Sequence, residues 1–393
     1  MRPKVHYFGG QGIGWALDED LERARRSVCG RVSEGSFARA PIIHSAWWPP
    51  LLQAGGLALK GKQVVCFSDN PPAFYLTRSG FEEAAARVDL WIARSREAVT
   101  QFQELGLPVA YAPYTVDPSV FHPLSSEERL RIRGELGLGE GDFTVGNFHR
   151  DSLEKDLSLP KAQKGPDLFA DLVEEARKSI PSLKVLLAGP RRHWLCRELE
   201  RRGIPFVFSG ERQDGDDFRV NVLPRERLNR LYAALDCIVI SSRWEGGPYA
   251  VLESLLAGRP VISTPVGMAS DLLGQWLYSS MPEGAALLNR IASGQADFSG
   301  FRAAALESHS SGALGDALMR AYEALPTTPP TLTRSLASFV ARGMSRIHPA
   351  LRKSLGSHPG VSGVMEKVRS DAKGLQGVAA TAASIAEAEK TTR

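Results

Sequence analysis

The chain predicts an α/β protein with two doubly wound parallel sheets. Three observations carry this expectation. Short apolar runs of strand type alternate with amphipathic helical stretches, the pattern of sheets covered on both faces. The runs fall into two series, with a charged, glycine-punctuated segment between them. The length of 393 residues exceeds two domains of about 150 residues each and leaves material over.

The first series comprises Val5–Phe8, Pro41–His44, Gln63–Phe67, Val88–Ala93 and Val109–Tyr114. The second comprises Phe143–Phe148, Lys184–Ala188, Phe206–Phe208, Arg219–Leu223, Cys237–Ile240 and Pro260–Thr264. Helical patterns sit between most of them, Asp18–Val28 and Asp167–Ile180 among them. In the latter Leu168, Phe169, Leu172, Val173 and Ala176 share one face. Ser125-Ser126-Glu127-Glu128 has the pattern of a capping box opening a short charged helix. Gly134, Gly137, Gly139 and Gly141 punctuate its exit. The expected organisation is a first domain over 1–125, a linker over 126–142 and a second domain over 143–310. A closing helix and a proline-rich linker follow over 311–330, then a tail over 331–393.

Composition bounds the function. Apolar residues make up 43% and charged residues 23%, which excludes a wholly disordered chain and a polytopic membrane protein. No apolar run approaches the eighteen or so residues of a membrane span, and the first residues lack the apolar core of a signal peptide. Four cysteines stand far apart with no Cys-x-x-Cys pair, against a disulfide framework or structural zinc and in favour of a reducing cytosol. A cytoplasmic protein is expected. The net charge of +4 is uneven, because residues 331–393 hold ten Lys/Arg and four Asp/Glu. The body therefore carries a net −2, and no nucleic-acid partner is expected.

Ligands of open parallel sheets bind beyond the carboxyl ends of the strands, so the loops after the strands are the candidate site. Gly9-Gly10-Gln11-Gly12-Ile13-Gly14 lets a backbone approach a ligand or serves only a turn; Trp15 stands where G-x-G-x-x-G needs glycine. Asp69 and His44 each end a strand. Either could contact a sugar hydroxyl or act as a base toward an acceptor, or be a turn residue and a structural histidine. Arg150 and Lys164 flank a long polar stretch, with Pro166 opening a helix. A forked guanidinium and a point charge at a helix amino end suit a diphosphate, although Asp151, Glu154 and Asp156 also fit a solvated loop. The most telling loop is Ser241-Ser242-Arg243-Trp244-Glu245-Gly246-Gly247-Pro248-Tyr249 and the helix after it. From Tyr249 to Ala257 only Glu253 and Ser254 are polar. A helix apolar on nearly all sides is buried, and a buried glutamate needs a partner. That partner is a vicinal diol such as ribose, or an arginine such as Arg259 or Arg243. Glu245 could hold the hydroxyls of a second ring, and the N–H groups of Gly246, Gly247 and Tyr249 an anion.

Together Glu245-x7-Glu253, Leu255-Leu256-Ala257-Gly258-Arg259-Pro260-Val261-Ile262, Lys164-Gly165, Leu187-Ala188-Gly189-Pro190, Leu231-Tyr232-Ala233-Ala234-Leu235-Asp236 and Pro265-Val266-Gly267 preceding Asp271 resemble the family-4-type retaining glycosyltransferases of the GT-B fold. The likeness covers about residues 88–275; the first 87 residues match poorly. It implies two Rossmann-like domains facing a cleft, with a helical tail added here. It also implies a retaining, metal-independent transfer of a hexosyl or related group from a nucleotide-diphosphate sugar, in glycan biosynthesis. By resemblance Glu253 holds the ribose, Glu245 the donor sugar, and Arg150 and Lys164 the departing diphosphate. Gly10 or Gly12 approaches the donor phosphate, and no cofactor is needed beyond the co-substrate. The family's arginine follows glycine directly after its strand; here Gly146 is followed by Asn147, and Arg150 comes later. The acceptor is a glycan, lipid or small molecule. A sugar-nucleotide epimerase and a non-catalytic nucleotide-sugar binding module are the alternatives. In the tail, Leu332, Leu336, Phe339, Val340, Met344, Ile347 and Leu351 recur at helical spacing among arginines. They form either a peripheral membrane contact over 331–356 or a helix packed on the body.

Overall fold

The computed structural model describes residues 2–10, 12, 16–326 and 376–391. The chain divides into two units. One gathers Met1–Thr115, Trp244–Gly247 and His309–Glu387; the other gathers Val116–Arg243, Pro248–Ser308 and Ala388–Arg393.

The first unit is built on six strands, β1 (Lys4–Phe8), β2 (Ser33–Glu34), β3 (Ile42–Ser45), β4 (Gln63–Phe67), β5 (Leu90–Ala93) and β6 (Val109–Tyr111). Their order is β2-β1-β3-β4-β5-β6, parallel throughout. One face packs on the helices Ala16–Ser27 and Ser311–Glu323, through Ala24, Val28, Leu314, Leu318 and Tyr322 against Val5, Val65 and Phe67. The helix expected to close the chain thus completes the core of the unit that begins it. Elsewhere in the unit the rings of Tyr75, Phe81, Trp91 and Phe102 pack in succession. Such edge and offset contacts add to the large area each ring buries.

The second unit has β7 (Phe143–Asn147), β8 (Leu183–Ala188), β9 (Phe206–Ser209), β10 (Cys237–Ile240) and β11 (Val261–Ser263) in the order β11-β10-β7-β8-β9, again all parallel. The direction of winding reverses between β7 and β10, which makes their carboxyl ends the switch point where open sheets bind ligands. The capping box forms as expected, Ser125 with Glu128, and a second closes on Ser280 and Glu283.

Two expectations are corrected. Arg219–Leu223 is not a strand; Phe218–Asn221 is one helical turn, closed by Asn221 N–H on the Asp217 carbonyl and by Asn221 Nδ2 on the Asp217 carboxylate. Residues 126–142 do not act as a bare linker. Arg133 is buried and donates to the carbonyls of Ala234, Gly139 and Asp142, and Arg129 pairs with Asp236 at 2.6 Å, which fixes the segment within the second unit. Gln376–Thr391 is helical, with Val378, Ala382 and Ile385 buried. The helix expected over Leu332–Leu351 and the membrane contact over 331–356 lie outside the described residues. Among the described residues no helix is long and apolar enough to cross a membrane.

His44 is also corrected, from acceptor base to core residue. It lies fully buried against the Phe67 ring at 4.3 Å, its Nδ1 2.6 Å from the Tyr322 hydroxyl. Burial, with the Arg94 charge, depresses its pKa from the ordinary imidazole range to about 3. The folded state therefore keeps His44 neutral while the unfolded chain takes up a proton below about pH 6.5. The unfolded state binds more protons in that window, so stability falls as pH drops from about 6.5 toward 3. His149 and His309 are depressed in the same direction by burial. Denaturant midpoints measured from pH 7 to 4 should fall steadily, and less steeply for His44→Gln. An equal slope in both would mean that His44 is not the buried neutral group described.

Candidate functional site

The second unit places its functional side chains at the β7–β10 switch point. The turn carrying Lys164 is held there by three contacts. Ser241 Oγ donates to the Lys164 carbonyl at 3.1 Å and Arg243 N–H to the Gln163 carbonyl at 2.8 Å. The Arg243 guanidinium pairs with Asp167 in the first turn of the helix Pro166–Arg177. Gly165 is left-handed, φ 55°, and a Cβ on it would overlap the Ser241 carbonyl, so only glycine lets the turn lie against the end of β10. Lys164 therefore stands at the amino end of that helix, where the macrodipole favours an anion.

Around it, Phe148, His149 and Arg150 leave β7. His149 is depressed by its own burial first, then by the charges of Lys164, Arg192 and Lys161. Three positive groups thus act on one half-buried ring. The helix Tyr249–Leu256 carries Glu253, whose Oε2 accepts from the Tyr232 hydroxyl at 2.8 Å. The Tyr232 ring is buried and meets Phe148 edge-on at 5.1 Å. Burial and the Glu253 charge push the Tyr232 phenol well above its ordinary range, so it stays a hydroxyl donor to the carboxylate. One arginine suggested as a partner of Glu253, Arg243, is committed to Asp167.

Tyr232 is a residue that sequence reasoning missed as functional. Its motif was noticed, but the pairing spans 21 positions and carries no local signal. Tyr232→Phe removes the hydroxyl and keeps the ring. A hydrogen bond to a charged group contributes about 1.5–3 kcal/mol. The expected result is a rise of about tenfold or more in the donor KM, with the melting temperature little moved. An unchanged KM would show that Tyr232 does not orient Glu253.

In the first unit, the Gly12 N–H donates to Asp18 Oδ1 at 3.1 Å, and the same carboxylate faces Gly10. Gly10 and Gly12 thus lie against the first turn of the helix Ala16–Ser27. Asp69 ends β4, accepting from Tyr75 OH at 2.6 Å and from Asn70 Nδ2 at 3.0 Å. Burial raises its pKa, and these hydrogen bonds oppose the rise. The stretch Trp244–Gly247 belongs to this unit. Trp244 stacks on Phe74 at 6.1 Å, and Gly246 lies so close to the Asp69 carbonyl that a side chain would overlap it. Glu245 is 7% exposed. The two glutamates of the motif are therefore divided, Glu245 in the first unit and Glu253, with Tyr249, Lys164 and Arg150, in the second.

Residues 157–290 match the family model for glycosyl transferases group 1. The matched stretch is about a third of the chain and includes Lys164, Tyr232, Glu245 and Glu253. The chain is 27% identical over 196 residues to the lipopolysaccharide core biosynthesis mannosyltransferase LpsB of Rhizobium meliloti, covering 48% of each chain. It is 25% identical over 172 residues to the alpha-galactosylglucosyldiacylglycerol synthase of Streptococcus pneumoniae, covering 40% of this chain and 38% of that one. The chain thus spans about half or less of the length of these curated relatives. The fold is GT-B. Anabaena HepE, solved with UDP and glucose, superposes with a TM-score of 0.62 at 17% identity, over 82% of this chain and 100% of that one. The lipopolysaccharide-biosynthesis glycosyltransferase WaaG superposes with a TM-score of 0.52 at 13% identity, over 82% and 100%.

Proposed function

We propose that this chain is a retaining glycosyltransferase that moves a hexosyl or related group from a nucleotide-diphosphate sugar to a glycan, lipid or small-molecule acceptor. The observation that carries the reading is the Lys164–Gly165 turn clamped against Ser241 at the switch point of a group 1 glycosyltransferase domain. In this reading Lys164 and Arg150 take the diphosphate, and Glu253, oriented by Tyr232, takes the ribose. Glu245 takes the donor sugar hydroxyls, with the N–H groups of Gly246, Gly247 and Tyr249 and the Gly10 loop assisting. Asp69 is the acceptor-side carboxylate.

The chemistry follows from charge. Breaking the anomeric C–O bond builds negative charge on the diphosphate and positive charge on the sugar ring. Cations aimed at the diphosphate stabilise that transition state more than the ground state. The acceptor oxygen bonds to the anomeric carbon on the face the diphosphate leaves, and its proton passes to the departing phosphate oxygen. Lys164 and Arg150 supply the neutralising charge, so the step requires neither metal nor other cofactor. Incubation with a panel of nucleotide sugars and acceptor fractions should release nucleoside diphosphate and yield a glycoside with the donor's anomeric configuration by NMR. Donor sugar recovered in altered configuration without transfer would overturn the reading in favour of an epimerase. Donor binding without turnover on every acceptor would favour a binding module.

A further inference from the structure

A buried guanidinium at the carboxyl edge of the second sheet has no part in the roles above. Arg191 and Arg192 leave β8 together. Arg191 is the one non-glycine residue with positive φ, 59°, among the described residues, an unfavourable state that persists only when its surroundings impose it. Here they do. Its N–H donates to Asp217 at 2.7 Å, and its carbonyl accepts from Asp151 and Ser152. Its guanidinium pairs with Asp216 and Glu154 at 2.8 and 3.0 Å. The turn directs Arg192 inward, with its side chain wholly buried.

Arg192 Nη2 donates to Asn147 Oδ1 at 2.9 Å, and Asn147 Nδ2 donates on to the Val239 carbonyl of β10 at 3.3 Å. This bridge therefore spans the switch point. Arg192 Nε lies 3.2 Å from Asp151 Oδ2 but off hydrogen-bond alignment, and Nη1 has no hydrogen-bond partner among the described residues. Asp151 Oδ2 is thus the counter-ion of Arg192, while the other carboxylate oxygen is held by the chain. Asp151 Oδ1 accepts from Ser152 Oγ and from the N–H groups of Trp194 and Leu195, opening the helix His193–Arg201. The Arg192 charge reaches the same half-buried His149 ring as Lys164 and Lys161, and His149 Nδ1 has no hydrogen-bond partner among the described residues. Converging cations repel unless an anion joins them, and unsatisfied buried donors at such a point call for an acceptor.

We propose that Arg192 is a positioning residue of the anion site around Lys164: through Asn147 it fixes the exit of β7, and it adds a further positive charge to those of Lys164 and Arg150 for a diphosphate group. The inference rests on the reading of Lys164 as a diphosphate ligand. Arg192 acts through Asn147 and through its charge.

Inorganic pyrophosphate, which needs no knowledge of base or sugar, is the probe, titrated calorimetrically into the full chain. Lys164→Gln should lose most of the binding. Arg192→Gln should weaken it about tenfold, the effect of losing one charge-assisted hydrogen bond. Asn147→Ala, with the charge intact, should weaken it severalfold, and Arg192→Lys should recover part of the Arg192→Gln loss. Because Arg192→Gln strands the Asp151 carboxylate, the paired variant Asp151→Asn/Arg192→Gln removes both charges together and should show the same loss. Wild-type affinity in the Arg192 and Asn147 variants, with Lys164→Gln impaired, would overturn the role of Arg192 and leave the diphosphate reading standing. Wild-type affinity in Lys164→Gln would overturn that reading itself.

Discussion

Lys164→Ala should lower kcat by 10²- to 10³-fold while changing the donor KM much less. The size is that of removing one preorganised donor from a developing negative charge, about 2.7–4 kcal/mol. The structure explains why so much rests on one side chain. Its backbone is clamped on both sides, by Ser241 Oγ on its own carbonyl and by Gly165 against the Ser241 carbonyl. The ammonium is thus presented from a fixed point at the amino end of a helix, with little reorganisation as charge develops. Lys164→Arg keeps the charge but replaces a point with a planar fork, and should recover part of the loss. Steady-state kinetics with a saturating acceptor decide the matter. A change confined to KM would mean that Lys164 binds ground and transition states alike.

The second large effect is on stability. Arg94 is wholly buried in the first unit, stacked 4.5 Å from the centre of the Phe67 ring and 4.2 Å from that of Tyr114. Its Nη2 donates to Asp20 Oδ1 at 2.8 Å and to the Pro113 carbonyl at 3.0 Å. Nε and Nη1 have no partner. Asp20→Ala leaves that charge in the core without its counter-ion. Breaking one side of a buried pair costs about 3–5 kcal/mol, whereas replacing both sides by apolar groups is often neutral. Urea midpoints should therefore drop sharply for Asp20→Ala and far less for Asp20→Leu/Arg94→Met. A double variant as unstable as the single one would show that packing, rather than the stranded charge, sets the cost.

Sequence patterns located the second sheet closely, because a central parallel strand is apolar on both faces and shows as a run. Cys237–Ile240 is such a run, and its observed ends are those expected. Where the run was mixed the reading failed. Arg219-Val-Asn-Val-Leu223 alternates as a strand would, yet the Asp217 side chain closes a helical turn over it. The edge strand Ser33–Glu34 is short and polar and gave no signal. For the site, Lys164 and Glu253 were legible because glycine, proline and an apolar helix frame them locally. Tyr232, Asn147 and Arg192 were not, because each matters through a partner 21 to 45 positions away. His44 kept two readings for the same reason, its partner Tyr322 lying 278 positions on.

The first unit cannot finish its core without the helix Ser311–Glu323, which supplies Leu314, Leu318 and Tyr322. A ribosome adding about 5–20 residues each second needs roughly ten to forty seconds to travel from Thr115 to that helix. Throughout that interval the emerged segment Met1–Thr115 has an unfinished interior, and by its end nearly all of the second unit has been made. The part translated first is therefore the part that matures last, and its exposed apolar sheet is where a chaperone would be needed during synthesis.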